Sequence, residues 1–293
     1  MNGGGSRRLV PVPGLGYVRG MCCKQKKNDA GRDARAESTD ISRHEAAFEA
    51  FAGRYLREHP EAMLCLKREH THNVLQHART LVAEAPLSSE ERRAALLAAL
   101  YHDTGRFPQY VKWRTFSDAH SENHGLLGVR TVRQEGFLAD EPAYLQKWVL
   151  TAIALHNRYS VPALSEPYAS ITHVVRDADK LDIMRIMAQH LSKPVPTEDV
   201  VLHVQDEPEA WSPEIAETVL AGKTPGYTEI RYVNDFRMLL GAWIHDLHFA
   251  ASRRICAHAG FIQVILEGLP RVAELDAVRA YILGELAKAG ACV

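Results

Sequence analysis

Histidine and aspartate stand side by side at positions 102 and 103, in the run LYHDTGRFPQ, where a helical pattern gives way to a glycine. Imidazole and carboxylate are both metal donors, so a helix end carrying the two can give two ligands to one centre. Other donors recur along the chain. His70 falls on the apolar stripe Met63, Leu66, Val74, Ala78 and Leu81, four residues from Leu66 and four from Val74. His72 lies about 200° round the same helix and faces elsewhere. For His70 alone, a neutral core histidine bonded to a carbonyl is the commoner case. His124 opens a helical stretch in SENHGLLG, and His156 closes one in ALHNRYSVP. Asp177, Asp179 and Asp182 fall within VVRDADKLDI, an otherwise apolar helical run. Buried carboxylates are costly unless paired or bound to metal. Several helices that each deliver an imidazole or a carboxylate are how bundles build internal metal sites. Such a mixed donor set suits Mn, Fe, Co, Ni or Zn better than an all-oxygen magnesium site.

The elements that must position these donors read as helices almost throughout. Residues 41–60, 61–85, 87–102, 122–136, 141–156 and 169–191 all show helical apolar spacing. Pro60 and Pro86 follow two of the helix ends, and a serine followed by glutamates caps the helix leading to His102. Residues 103–121 read as a long loop containing Phe107, Tyr110, Trp113 and Phe116, rings that pin the loop to the core or stack on a substrate. Residues 192–212 turn polar and proline-bearing, with one short extended piece at VVLHVQ. The remainder returns to helices, with residues 232–260 read as a nearly continuous one. No alternating strand pattern and no repeat appear, so the fold class is all-α.

Composition bounds the class. The chain has 293 residues, 46% apolar and 24% charged, as in ordinary globular proteins. A formal net charge of -1 gives no global field for polymeric nucleic acid or anionic membrane. No apolar run approaches the roughly 20 residues that span a bilayer. Cys22, Cys23, Cys65, Cys256 and Cys292 show no CxxC spacing, which fits a reducing, cytoplasmic compartment. Residues 1–40, rich in Gly, Arg and Lys, read as a disordered tail within which Met21 is an alternative start. Motifs for a serine nucleophile elbow, a P-loop and a dinucleotide fold are missing.

The ordered set Lys67-x-x-His70, His102-Asp103, His124, His156 and Asp179 resembles the HD-domain superfamily of metal-dependent phosphohydrolases. HDTGRFPQ resembles the HD-Ile-Gly-Arg-Phe-x-Gln form of one bacterial branch, TFSDAHSENHGLLGV the segment that follows it, and RDADKLDI the family's last ligand helix. The resemblance covers roughly residues 60–190. It implies an HD helical bundle over residues 41–192, with residues 193–293 as a C-terminal helical extension packed on that core. It also implies that His70, His102, Asp103 and Asp179 surround one divalent transition metal. His124 and His156 match the places that add a second ion, with Asp103 bridging. His72, His120, Asp177 and Asp182 are the neighbours that compete for these roles. The chain departs from some two-metal phosphodiesterases in lacking an adjacent His-His pair, since Asn157 follows His156, and the GYP element of the cyclic-dinucleotide branch is absent.

The implied activity is hydrolysis of a phosphomonoester or phosphodiester, a small molecule or nucleotide, by metal-activated hydroxide. Arg106 is the first candidate for a cation on the phosphoryl oxygens. It could equally tie the loop to Asp118. Lys180 is the second, on phosphate or protonating the leaving oxygen, with a structural ion pair as the competing role. The alternatives are an HD-type di-iron oxygenase, which the same ligands would serve, and a non-catalytic nucleotide-binding regulatory module. A second His-Asp pair, in IHDLHF at 244–249, lacks an accompanying ligand set and reads as structural or surface. There Trp243, Ile244, Leu247 and Phe249 pack against the core or against the second subunit of a homodimer.

Overall fold

The computed structural model describes residues 39–192 and 204–291. The sequence reading of residues 1–38 and of most of VVLHVQ lies outside the described residues. Those described are helical with no strand, and the only extended pairing among them is one bridge between Gln205 and Tyr232. The protein is all-α. No helix among the described residues is long and apolar enough to cross a membrane.

The helices in chain order are α1 Ser42–Glu58, α2 Ala62–Glu84, α3 Ser89–Tyr101, α4 Arg106–Trp113, α5 His124–Gln134 and α6 Ala143–Leu155. They continue as α7 Tyr168–Leu191, α8 Pro213–Leu220, α9 Val233–Ala242, α10 Ala250–Ala259, α11 Phe261–Glu267 and α12 Ala273–Ala291. The helix that ends at His102 starts as its sequence promises. Ser88 accepts from the Glu91 amide, and the Glu91 carboxylate returns to the Ser88 amide, closing a capping box. Its eight residues from Ala94 to Tyr101 are all buried, because α3 packs on α2, α6 and α7 at once.

Two apolar cores divide the molecule. The first gathers α1 to α6 and the leading half of α7, through Ile171, Val174, Val175 and Ala178. The second gathers the trailing half of α7, from Leu181 to Leu191, with α8 to α12. The turns of α7 between these cores carry Asp177, Asp179 and Asp182.

Two expectations about the backbone are corrected. Residues 103–121 are not all loop, since α4 forms there. Phe107 is fully buried among Phe48, Phe51 and Tyr55, with ring centroids 5.3 to 6.2 Å apart, and this burial pins the helix to α1. Nor is 232–260 a continuous helix. It breaks into α9, a short 3₁₀ turn Trp243–His245, and α10. The buried carboxylate of Asp177 causes this break by accepting the amides of His248 and Phe249 and the hydroxyl of Ser252, so a new helix N-terminus starts there. Trp243, Ile244 and Leu247 are buried in the second core, and Phe249 packs against the first, so all four pack within this chain.

The glycine after the His-Asp pair has a steric reason. A Cβ on Gly105 would stand 2.3 Å from the His124 carbonyl oxygen and 2.5 Å from the Gly128 nitrogen. Only glycine lets the 102–105 turn press against the first turn of α5, which brings the His-Asp pair up to His124.

Candidate metal centre

Four imidazoles converge in one orientation. His102, beyond the last turn of α3, donates from Nδ1 to the Ala99 carbonyl at 2.8 Å. His156, beyond α6, donates from Nδ1 to the Ile153 carbonyl at 2.7 Å. A carbonyl can only accept, so both rings carry their proton on Nδ1. His70 turns Nδ1 to Asp182 at 2.7 Å, and His124 turns Nδ1 to Asp118 at 2.7 Å. Each ring is therefore fixed through Nδ1 and presents Nε2 to the same small space.

The carboxylates of Asp103 and Asp179 meet these nitrogens. His70 Nε2 lies 3.0 Å from Asp179 and 3.6 Å from Asp103. His102 Nε2 is 3.7 Å from Asp103 and 3.8 Å from Asp179. His124 and His156 approach the other Asp103 oxygen at 3.6 and 3.8 Å. Three overlapping groups have ligand atoms spaced to share an ion: His70, His102 and Asp103; His102, His156 and Asp179; and Asp103, His124 and His156.

Two observations test whether a cation fits. The Nε2 atoms of His70 and His102 are buried without a hydrogen-bond partner. The Nε2 atoms of His124 and His156 stand 3.1 Å apart, and with both protons on Nδ1 two lone pairs face each other. A positive ion between these atoms satisfies all of them, so the donor set fits a divalent metal ion.

Electrostatics agree. Burial alone would raise Asp103, but Lys67, the neighbouring histidines and Arg106 hold its carboxyl well below the usual range. Asp179 is likewise held low against burial, by His70, His102 and His156. Burial pulls His102 down to about 4 and, with Arg106 nearby, His124 down to about 3. Both are thus neutral at physiological pH, the form in which an imidazole can bind a metal. His70 behaves oppositely. Burial and Lys67 lower it, but Asp179 and Asp182 outweigh them and raise it.

A pH dependence follows for the metal-free protein. An unfolded histidine titrates near 6.5, whereas folded His102 and His124 titrate near 4 and 3. Between these values the unfolded chain binds more protons, so stability falls as pH drops from 6.5 towards 4. His173, lowered to about 4 by burial and His248, adds to this, as do His44 and His77, both lowered by burial, while the raised His70 and Asp177 oppose it. Urea midpoints of chelator-stripped protein should decline over that window, and a flat profile would count against this account.

The remaining candidates separate cleanly. His72 is exposed and pairs with Glu49 at 2.6 Å, and His120 sits on the surface beside Ser117. Neither enters the cluster. Asp177 caps α10, as described above. Arg106 does both things expected of it. Its Nε lies 3.4 Å from Asp103 without a hydrogen bond, while its Nη1 bonds the Phe116 carbonyl and reaches Asp118 at 3.3 Å. Lys180 donates to Asp246 at 2.7 Å and lies over the Trp243 ring, so its ammonium is engaged by the second His-Asp pair. His245 lies against Tyr281, and His248 stacks on His173 at 4.0 Å.

Sequence reasoning gives Lys67 and Arg176 no role of their own and Asp118 only a tie to Arg106. Lys67, one helical turn before His70, bonds Asp103 at 2.8 Å, and the i, i+3 spacing was the available signal. Asp118 gathers His124, Arg106, Gln109 and Asn157 around one carboxylate. Arg176 donates to the carbonyls of His156 and Arg158 and so secures the turn that carries His156.

Comparison with known families matches residues 68–184 to the HD domain. The chain carries an HD domain over these residues. No curated protein and no solved structure gave a significant match. The matched stretch of the HD domain opens just before His70 and closes just after Asp182, so the whole donor cluster lies within it. Lys180 lies inside the HD domain and its partner Asp246 outside it.

Proposed function

We propose that this protein is a metal-dependent phosphohydrolase acting on a small phosphomonoester or phosphodiester, a class that includes nucleotides. The observation that carries this reading is the shared orientation of His70, His102, His124 and His156, each held at Nδ1 with Nε2 turned to Asp103 or Asp179. Those six residues would hold one or two divalent ions, with Asp103 common to both. Bound there, such ions supply Lewis acidity at phosphoryl oxygens and a hydroxide nucleophile near neutral pH.

The chain's own groups do the rest. Asp182 and Asp118 hold His70 and His124 in ligand orientation. Arg106 holds its Nε 3.4 Å from Asp103 without a hydrogen bond, where the charge that builds on phosphoryl oxygens needs a cation. Lys67 puts an ammonium on the other Asp103 oxygen. Lys180 can protonate a leaving oxygen only by releasing Asp246, so Arg106 is the primary cationic group and Lys180 the secondary one. The free thiols of Cys65 and Cys256 support a cytoplasmic setting.

The reading is tested by assaying stripped protein, reloaded separately with Mn, Fe, Co, Ni or Zn, against phosphomonoesters and phosphodiesters. Hydrolysis that needs the metal and falls in Arg106→Ala supports it. Absence of hydrolysis with every ion, or oxygen consumption by the iron form, overturns it.

A further inference from the structure

His102 and His156 are each held at Nδ1 by a carbonyl of their own helix, which cannot swing. His70 is held by a side chain instead. Asp182 is fully buried on α7, three residues past Asp179, and its Oδ2 accepts from His70 Nδ1 at 2.7 Å. A carboxylate held by one hydrogen bond can turn about its last torsion, which carries the acceptor away from the imidazole. Asp118, behind His124, is fixed by Gln109, Asn157 and Arg106 together. Asp182 has one further partner among the described residues, and it is Arg185.

Arg185 donates from Nε to Asp182 Oδ1 at 2.6 Å and from Nη2 to Oδ2 at 3.3 Å. The planar guanidinium therefore bridges both oxygens and fixes the carboxylate plane, which a single-point donor cannot do. The two residues stand at i and i+3, so α7 itself carries the grip. The remaining arm, Nη1, lies 3.1 Å from Glu69, the residue before His70 on α2. One guanidinium thus ties the turn of α2 that carries His70 to the turn of α7 that carries Asp182. The Glu69 side chain is 61% exposed, so this arm points to the surface and away from the donors. Arg185 forms no hydrogen bond or ion pair with any of the six donor residues, and it stands one residue past the end of the HD match.

We propose that Arg185 is a positioning residue of the metal centre, acting through Asp182 to aim His70 Nε2 at the ion position that His70 helps to form. This rests on the metal-centre reading above. Outer partners of this kind set ligand orientation without touching the ion, and their loss weakens the ion held through that ligand.

The test is competition for zinc between the full chain and a chromophoric chelator. Arg185→Ala is expected to weaken the ion held through His70 about tenfold and to leave the ion held through His124 unchanged. The same loss is expected in a His124→Ala background, where only the first position remains. Arg185→Lys keeps a charge beside the buried carboxylate, and so the fold, without the two-point grip, and should lose less at the same position. Glu69→Ala removes only the outer ion pair and should leave both positions unchanged. With Asp182→Asn already in place, Arg185→Ala should add no further loss, because the arginine acts through that carboxylate. No weakening in Arg185→Ala and Arg185→Lys, an equal loss at both positions, the same loss in Glu69→Ala, or a full further loss on top of Asp182→Asn overturns the role of Arg185 and leaves the metal centre standing. Wild type that takes up no zinc overturns the metal centre and the role of Arg185 with it.

Discussion

Asp103→Ala is expected to abolish both metal retention and phosphate-ester hydrolysis. Asp103 is 2% exposed, and its two oxygens face the Nε2 atoms of His70, His102, His124 and His156 at 3.6 to 3.8 Å. No other carboxylate approaches all four rings among the described residues. Without it, the donors that would hold two ions share no anion, and Lys67 loses its partner carboxylate. Losing a shared ligand removes several kcal/mol of transition-state stabilisation, roughly 10³-fold or more in rate. The metal-free variant also leaves the largely buried Lys67 without its anion, so it should melt below wild type. Asp103→Asn separates shape from charge, since it keeps the volume and one acceptor oxygen. Elemental analysis and a phosphatase assay on both variants, with circular dichroism to confirm folding, decide the matter. Wild-type metal content in Asp103→Asn would contradict the assignment.

The second large effect belongs to a residue that touches no proposed ion. Asp118 accepts from His124 Nδ1 at 2.7 Å, Gln109 at 2.9 Å, Asn157 at 3.0 Å and Arg106 at 3.3 Å. These partners and Arg106 hold its carboxyl at about 2, against the pull of burial, so it is ionised throughout the working range. Asp118→Ala leaves His124 free to turn or to change tautomer, and leaves buried donors unpaired. Affinity for the ion held through His124 should fall about 10- to 100-fold, while the ion held by His70, His102 and Asp179 stays. Competition with a chromophoric chelator reads this as one weakened site beside one unchanged site. Equal weakening of both would show that Asp118 supports the fold and not His124.

These two residues also mark how far the sequence could be read. The pair at 102–103, the inward face of His70 and the position of Asp179 were legible because they follow local rules: helical period, a capped helix start and a family spacing. Asp182 was half legible. It shares the Asp179 face of α7 at i, i+3, but its bond to His70 spans 112 residues and no local pattern fixes it. Asp118 lay in a segment read as loop, and its value comes from four partners that only the packed fold assembles. The break at residues 246–249 was illegible for the same reason. Periodicity favoured one long helix, and a single buried carboxylate on another helix, Asp177, decided otherwise. Lys180 shows the converse case, a charge beside a ligand in sequence whose partner is 66 residues away.

In the proposed centre Asp103 would join two ion positions, one of them completed by His124 and His156. Metal content of protein purified without chelator, compared between wild type and His124→Ala, tests it most directly. Two transition-metal ions per chain in wild type, falling to one in His124→Ala, is the predicted result. One ion in both proteins would remove His124 and His156 from the ligand set, and no ion in wild type after incubation with each divalent metal would contradict the metal centre itself.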